Sequence, residues 1–510
     1  MKKKLYLNLF YLFLLGALTS LSLPPYNYFI INFLTFSLFF SFLIKKKNTE
    51  NYFFFIFGWS FGFGYFLTSL YWISISLTFD KSFKILIPIS LLLIPAFLAL
   101  FYGFATYLFS FFSKKKNLVS LFFLISLIFG VIEYIRGYIL TGFPWNLIVF
   151  SFSNEPKFLS ITSIIGTYGF NIFCISLFMS PALLILRKNR KDFFVCIFFL
   201  LSPILIYLYG DIYTKNFYKA EKKTNDFVIR AISSNIDIDR FYNNIQPSLI
   251  ISDLIQISEP DLDKRILFIW PEGMIPSVLQ DELIEYKHLF NDKFSVNHLI
   301  GLGINSNSIN QGIQKRYNSF SIYDNQLNLL KSYNKNNLVP FGEFLPLEKI
   351  LKKIGFQTIT NNYQSFSKGD KRDIINIKKD KFDIKILPLI CYEIIYSGKL
   401  YENNNFDYLI NISEDGWFGK SIGPKQHFAH GIFRTIESGK YLIRSANNGT
   451  AAIINPIGII EKQVDYGKNG YIDFEVSRNV QPTIFSKYGN KIFGLLILLY
   501  ILLIFSFNRI

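Results

Sequence analysis

"LPLICYEIIY", Leu387–Tyr396, sets a cysteine and a carboxylate, Cys391 and Glu393, two residues apart inside an apolar, β-branched run. In an extended strand successive side chains alternate between faces, so the two are expected to share one. A lone thiol in such a run is either an inert core residue or a nucleophile that needs a base. Short β-rich runs surround it, at 227–236, 266–272, 298–304, 319–324, 386–393, 407–413, 441–449 and 451–456, with helical periodicity over 246–258 and 425–439. Strands alternating with helices, then strands in pairs, predict an α/β layered sandwich.

That sandwich occupies only part of the chain. Of 510 residues, 51% are hydrophobic and 18% aromatic, more than an ordinary soluble domain carries. The apolar residues concentrate in 1–210 and in the last twenty residues, whereas 211–489 has a globular composition. The expected organisation is a membrane domain over 1–210, a catalytic domain over 211–489 and a C-terminal transmembrane helix over 490–510. The net charge of +17 falls largely in compact clusters between apolar segments, which speaks for membrane loops and against a nucleic-acid surface. Of three cysteines, Cys174 and Cys196 lie inside apolar spans, and no disulfide framework or zinc spacing appears. His427 and His430 stand at i,i+3 without a third ligand in sequence, so they are expected to pack on a helix. Neither metal nor cofactor is expected.

Crossing a bilayer takes roughly 20 apolar residues. Spans are expected near 5–23, 27–44, 52–72, 85–112, 118–137, 160–186, 192–210 and 491–508, about eight in all. The first is too long for a signal peptide and lacks a clear cleavage site. Lys2–Lys4, Lys45–Lys47, Lys114–Lys116 and Arg187–Lys191 hold thirteen basic residues and fall at the N-terminus and after spans two, four and six. The alternate connections hold only Lys81, Lys84 and Lys157. This positive-inside alternation predicts cytoplasmic termini and an extracytoplasmic 211–489. In "IEYIRGYILTGFPWN", Glu133 and Arg136 form either a functional pair or an interfacial anchor with a snorkelling arginine.

Ligand-binding groups in α/β folds gather at the carboxyl ends of strands. There lie Glu272 in "WPEG", Lys335 and Glu343 in "SYNKNNLVPFGEFLP", Cys391 and Glu393 in "CYE", and Trp417 in "EDGWFG". A thiol attacks once a carboxylate takes its proton, and the oxyanion formed at an acyl carbon needs a fixed cation or N–H donors. Glu, Lys and Cys therefore make a complete set for acyl transfer through a thioester.

These motifs resemble the Glu-Lys-Cys triad of the nitrilase (carbon–nitrogen hydrolase) superfamily. "RGYILTGFPWN", "YNKNNLVPFGEFLPLE", "EDGWFGKSIGPKQH" and "RSANNGTAAIINPIG" narrow the resemblance to the bacterial apolipoprotein N-acyltransferase family. The resemblance implies a polytopic α-helical membrane domain with an extracytoplasmic nitrilase-like αββα sandwich in the inner membrane. It implies acyl transfer from a phospholipid donor to the N-terminal amine of a diacylglyceryl-cysteine apolipoprotein. Glu272 would be general base, Lys335 oxyanion stabiliser, Cys391 nucleophile and Glu343 a supporting acid, with Glu393 and Trp417 near the site. The chain departs from the family at Gly273, where Ser or Thr is common, at Glu414-Asp415-Gly416-Trp417, where Asn-Asp-Ala-Trp is common, and at "SSNI". The stretch 344–356 is expected to form an arm touching the outer leaflet. A membrane-tethered amidase, with water discharging the thioester, is the alternative; a transporter with a dead domain would have a broken triad.

Overall fold

The computed structural model describes residues 2–243, 245–310, 313–351, 353 and 365–509. The chain forms two compact units. One comprises Met1–Asn216, Ser421–Glu437 and Thr483–Ile510; the other comprises Phe217–Lys420 and Ser438–Pro482.

The first unit is helical, as long apolar segments must be where no water can satisfy backbone groups. Among the described residues, seven helical segments are long and apolar enough to cross a membrane: Lys3–Ser22, Asn51–Thr78, Lys81–Phe112, Leu118–Arg136, Thr162–Ile185, Arg190–Lys219 and Lys491–Arg509. The expected second span, 27–44, is instead the 16-residue helix Ile30–Lys45. At 1.5 Å per residue it rises about 24 Å, short of a hydrocarbon core of about 30 Å. Turns take up the residues before it, with Tyr26 N–H on the Leu23 carbonyl and Asn27 at φ 55°.

Two buried polar clusters brace this unit. Glu133 and Arg136, each 2% exposed, pair with one another, so the arginine does not snorkel. The Tyr102 hydroxyl donates to Glu133 at 2.7 Å, and Arg136 donates to the Phe143 carbonyl of the Gly-Phe-Pro-Trp turn. The second cluster sits where Gly166 (φ 68°, ψ 176°) breaks the helix Thr162–Met179. A Cβ there would lie 2.0 Å from the Phe485 ring, so only glycine fits. The break frees the N–H of Thr167, which donates to Glu437 at 2.7 Å, and Glu437 is paired with Arg434 at 2.8 Å.

Glu437 and Arg434 belong to the helix Gly423–Ser438. In sequence this helix lies between strands, inside the expected 211–489 domain, yet its partners lie in the helical unit. Gln426 accepts from the indoles of Trp72 (3.1 Å) and Trp145 (2.9 Å). His427 and His430 set their rings 5.5 and 5.3 Å from that of Trp145. Periodicity reveals a helix with an apolar face, but not which core covers it.

The second unit is built on strands β1 (Lys222–Ser233), β2 (Ile266–Ile269), β3 (His298–Asn310), β4 (Ile313–Asp324), β5 (Leu329–Asn334), β6 (Ile375–Lys379), β7 (Phe382–Ile390), β8 (Tyr408–Glu414), β9 (Tyr441–Asn447), β10 (Ala451–Ile454), β11 (Ile460–Val464) and β12 (Gly470–Arg478). They form two six-stranded sheets, ordered β12-β1-β2-β3-β4-β5 and β11-β10-β9-β8-β7-β6. The central strands run parallel, β1-β2-β3 in one sheet and β7-β8-β9 in the other. Fully buried runs such as "ILFI" and "YLINISE" are what parallel central strands need. The amphipathic helix Pro247–Ser258 buries Ile250, Ile251, Leu254 and Ile255 in the same core as Ile266, Phe268 and Ile300 of the first sheet. Of the expected arm, Leu345 is buried and Leu347 is 75% exposed. Lys352, residues 354–356 and the side chains of Ile350 and Leu351 lie outside the described residues.

Candidate active site

The functional residues predicted from sequence emerge where central strands end. After β2, Pro271 has no N–H to continue the ladder, and Glu272 follows. β3 passes close by: a Cβ on Gly303 would stand 2.7 Å from the Glu272 Cα, so a glycine is required there. Lys335 follows β5 and is fixed by its N–H on the Asn318 carbonyl at 2.8 Å. Its ammonium, 1% exposed, lies 3.2 Å from Glu272 Oε1 and 2.8 Å from Glu343 Oε1. Asn318, on β4, donates to the same two oxygens at 2.7 and 2.9 Å. The outer carboxylate oxygens are also held, Glu272 Oε2 by the Glu414 N–H (3.1 Å) and Glu343 Oε2 by the Val339 N–H (2.8 Å). Burial alone would depress the Lys335 ammonium, but Glu272 and Glu343 outweigh it and hold its pKa well above the usual lysine value. Lys335 is thus a permanent cation, locked between two carboxylates.

Cys391 does not continue its strand. β7 ends at Ile390, and Cys391, at φ 48°, opens a 3-10 turn over Cys391–Ile395. A non-glycine residue at positive φ is strained, and such strain gathers at functional sites. The turn overturns the expectation that Cys391 and Glu393 share a strand face. Parallel pairing of Ile390 with Ile412 instead brings Cys391 beside Ser413. Burial pushes the thiol pKa well above its ordinary value, Glu272 adds to this, and Lys335 and the Ser413 hydroxyl oppose it. At neutral pH the sulfur carries its proton.

Glu393 turns away to a different task. Its Oε1 accepts from the Tyr333 hydroxyl (2.7 Å), the N–H groups of Asn336 (2.9 Å) and Asn337 (3.0 Å), and Arg372 (2.6 Å). Its Oε2 accepts from the Ile390 N–H at 2.9 Å. One carboxylate therefore ties the backbone just after Lys335 to the residue just before Cys391. Burial works against its charge, yet Arg372 and the N–H donors lower its pKa below the ordinary glutamate value of 4.5. A carboxyl with a depressed folded pKa adds stability above its unfolded pKa and loses it as pH falls through the folded value. Glu393→Gln is expected to cost about 3–5 kcal/mol by stranding Arg372. The gap between native and variant melting temperatures should narrow below about pH 4.5. A gap that stays constant with pH would contradict the ionised buttress.

A cavity of 500 Å³ opens on this cluster, lined by Glu272, Glu343 and Asn318 and by Arg240, Phe241, Arg316, Glu414 and Trp417. Trp417 packs its ring 4.9 Å from that of Phe241. Glu414, where the family commonly has asparagine, is paired with the buried Arg240 and accepts from Asn447 at 2.7 Å. Sequence reasoning missed Asn318, Arg240, Arg316, Ser413 and Arg372. The one available signal was "RYNS", whose Arg316 and Asn318 stand two apart in a strand and so share a face.

An acid, a cation and a thiol at the strand ends of a two-sheet α/β domain, on a chain with apolar spanning helices, define a membrane-anchored carbon–nitrogen hydrolase fold. Residues 268–484 match the carbon-nitrogen hydrolase family, and residues 15–180 match the apolipoprotein N-acyltransferase N-terminal domain. The apolipoprotein N-acyltransferase of Rickettsia prowazekii is 34% identical, covering 94% of each chain. Those of Rickettsia typhi (33%, 96% of each chain) and Rhodopseudomonas palustris (30%, 97% of this chain and 94% of its own) align as fully. Among solved structures, yeast Nit3 of the nitrilase superfamily aligns with 50% of this chain and 90% of its own, at 16% identity and a TM-score of 0.33. The chain belongs to the apolipoprotein N-acyltransferase family, whose members are multi-pass membrane enzymes.

Proposed function

We propose that this enzyme moves an acyl chain from a phospholipid to the N-terminal amine of a diacylglyceryl-cysteine apolipoprotein, through a thioester on Cys391. The observation that carries the reading is the Lys335 ammonium held by Glu272 and Glu343 beside the end of β7. Glu272 takes the thiol proton as sulfur attacks the ester carbonyl, forming the C–S bond. Lys335 stabilises the oxyanion, and Glu343 fixes Lys335. The C–O bond to glycerol then breaks, and Glu272 returns the proton to the leaving lysophospholipid. In the second half the lipoprotein amine attacks the thioester, loses its proton to Glu272 and forms the amide. Cys391 sulfur leaves and is reprotonated. Both substrates hold acyl chains that leave the bilayer slowly, since each CH₂ is worth about 0.8 kcal/mol, so the enzyme works at the membrane surface. The lysine clusters support an extracytoplasmic catalytic unit and cytoplasmic termini.

The test is incubation of the purified enzyme with labelled phospholipid. An acyl adduct is expected on native protein and none on Cys391→Ala. Addition of a diacylated lipopeptide should chase the label onto its amine. An adduct that water discharges as fast as the lipopeptide does would favour the amidase.

A further inference from the structure

The charges lining the cavity are mostly committed. Lys335 serves Glu272 and Glu343, and Arg240 serves Glu414. Arg316 is the exception. It lines the same cavity, yet among the described residues its guanidinium makes one long hydrogen bond, 3.5 Å to the Pro276 carbonyl, and no ion pair. Its Nε is buried without a partner. A guanidinium has five donors in a planar fork and cannot shed its charge. Burial pulls its pKa below the usual arginine value, with only Glu282 opposing. A half-buried, unmatched fork facing a substrate cavity lacks an anion.

Register says where that anion would lie. Arg316 and Asn318 stand on one face of β4, opposite Asn307 and Asn305 of β3. Two residues along a strand span about 7 Å. Asn318 touches the reacting cluster, so the fork lies about that far from it. The separation is of the same order as that between an ester carbonyl and the phosphorus of a glycerophospholipid. We propose that Arg316 binds the phosphodiester of the phospholipid acyl donor while the donor's ester lies against Cys391. The proposal rests on the phospholipid reading above and assigns it a recognition residue. Head-group identity beyond the phosphate is not read here, so different phospholipids share the contact.

The test uses the full-length enzyme in detergent with two acyl donors, phosphatidylglycerol and p-nitrophenyl palmitate, which has no phosphate. Arg316→Ala should raise the half-saturating phosphatidylglycerol concentration for Cys391 acylation roughly 10- to 100-fold, as the loss of hydrogen bonds to a charged group implies. Arg316→Lys should recover part of it. Acylation by p-nitrophenyl palmitate should match native for both variants. An equal loss with both donors would mean a structural role, and no loss with phosphatidylglycerol would mean no contact; either overturns the proposal. Inorganic phosphate should not slow native acylation by p-nitrophenyl palmitate. Slowing that Arg316→Ala abolishes would reassign the site to free phosphate. Native enzyme that reacts with p-nitrophenyl palmitate but with no phospholipid would overturn the donor reading, and Arg316's part with it.

Discussion

Lys335→Met should abolish acylation and, at the same time, destabilise the catalytic unit. The activity loss follows from position. Lys335 is the charged donor at the site where the oxyanion forms, and losing one such donor costs roughly 100- to 1,000-fold. The stability loss follows from what remains. Glu272 and Glu343 would keep Asn318 as a shared donor but lose the ammonium 3.2 and 2.8 Å away. Removing one partner of a buried ion pair costs about 3–5 kcal/mol, because the other charge is left uncompensated. The two effects can be separated. Lys335→Met combined with Glu343→Gln removes one of the stranded charges, so much of the lost melting temperature should return while acylation stays absent. The pair is in contact, so the two changes should be far from additive. A double variant no more stable than Lys335→Met would show that the cluster is not held by charge.

Much of this arrangement is legible in the sequence, and the misses have physical causes. The central strands were readable because burial on both faces makes them continuous apolar runs, as in "ILFI". The four strands not expected, β5, β6, β11 and β12, are the four sheet edges. Edge strands carry charge and face water, as "IEKQV" of β11 does, so no apolar run marks them. The residues Glu272, Lys335, Glu343 and Cys391 were found because each ends a strand in a distinctive motif. Glu393 was placed on the wrong surface because regular strand geometry was carried one residue too far, past the positive φ of Cys391. The assignment of the Gly423–Ser438 helix needed tertiary contacts, since its buried polar residues Arg434 and Glu437 answer a kink at Gly166 more than 250 residues earlier.

Glu272→Gln should separate two properties of Cys391 that usually move together. Acylation should fall roughly 100- to 10,000-fold, the usual contribution of a positioned general base. Alkylation by iodoacetamide, measured at the same pH, should become faster. The sign comes from the thiol's surroundings. Burial is the largest cause of its raised pKa and stays in the variant, but the Glu272 carboxylate is the next, and Lys335 works in the opposite sense. Removing the carboxylate's charge lowers the thiol pKa and leaves more thiolate at any pH below it, and the thiolate is the alkylated form. The native enzyme should therefore alkylate slowly at neutral pH and faster as pH rises. Glutamine is not a silent replacement. Its amide would turn an N–H donor toward either the Glu414 N–H or the Asn318 and Lys335 donors that now hold the two oxygens. That mismatch should cost about 1–3 kcal/mol of stability, readable as a lower melting temperature. Slower alkylation together with slower acylation would mean that Glu272 activates the resting thiol electrostatically, and the proton-transfer role would have to be given up.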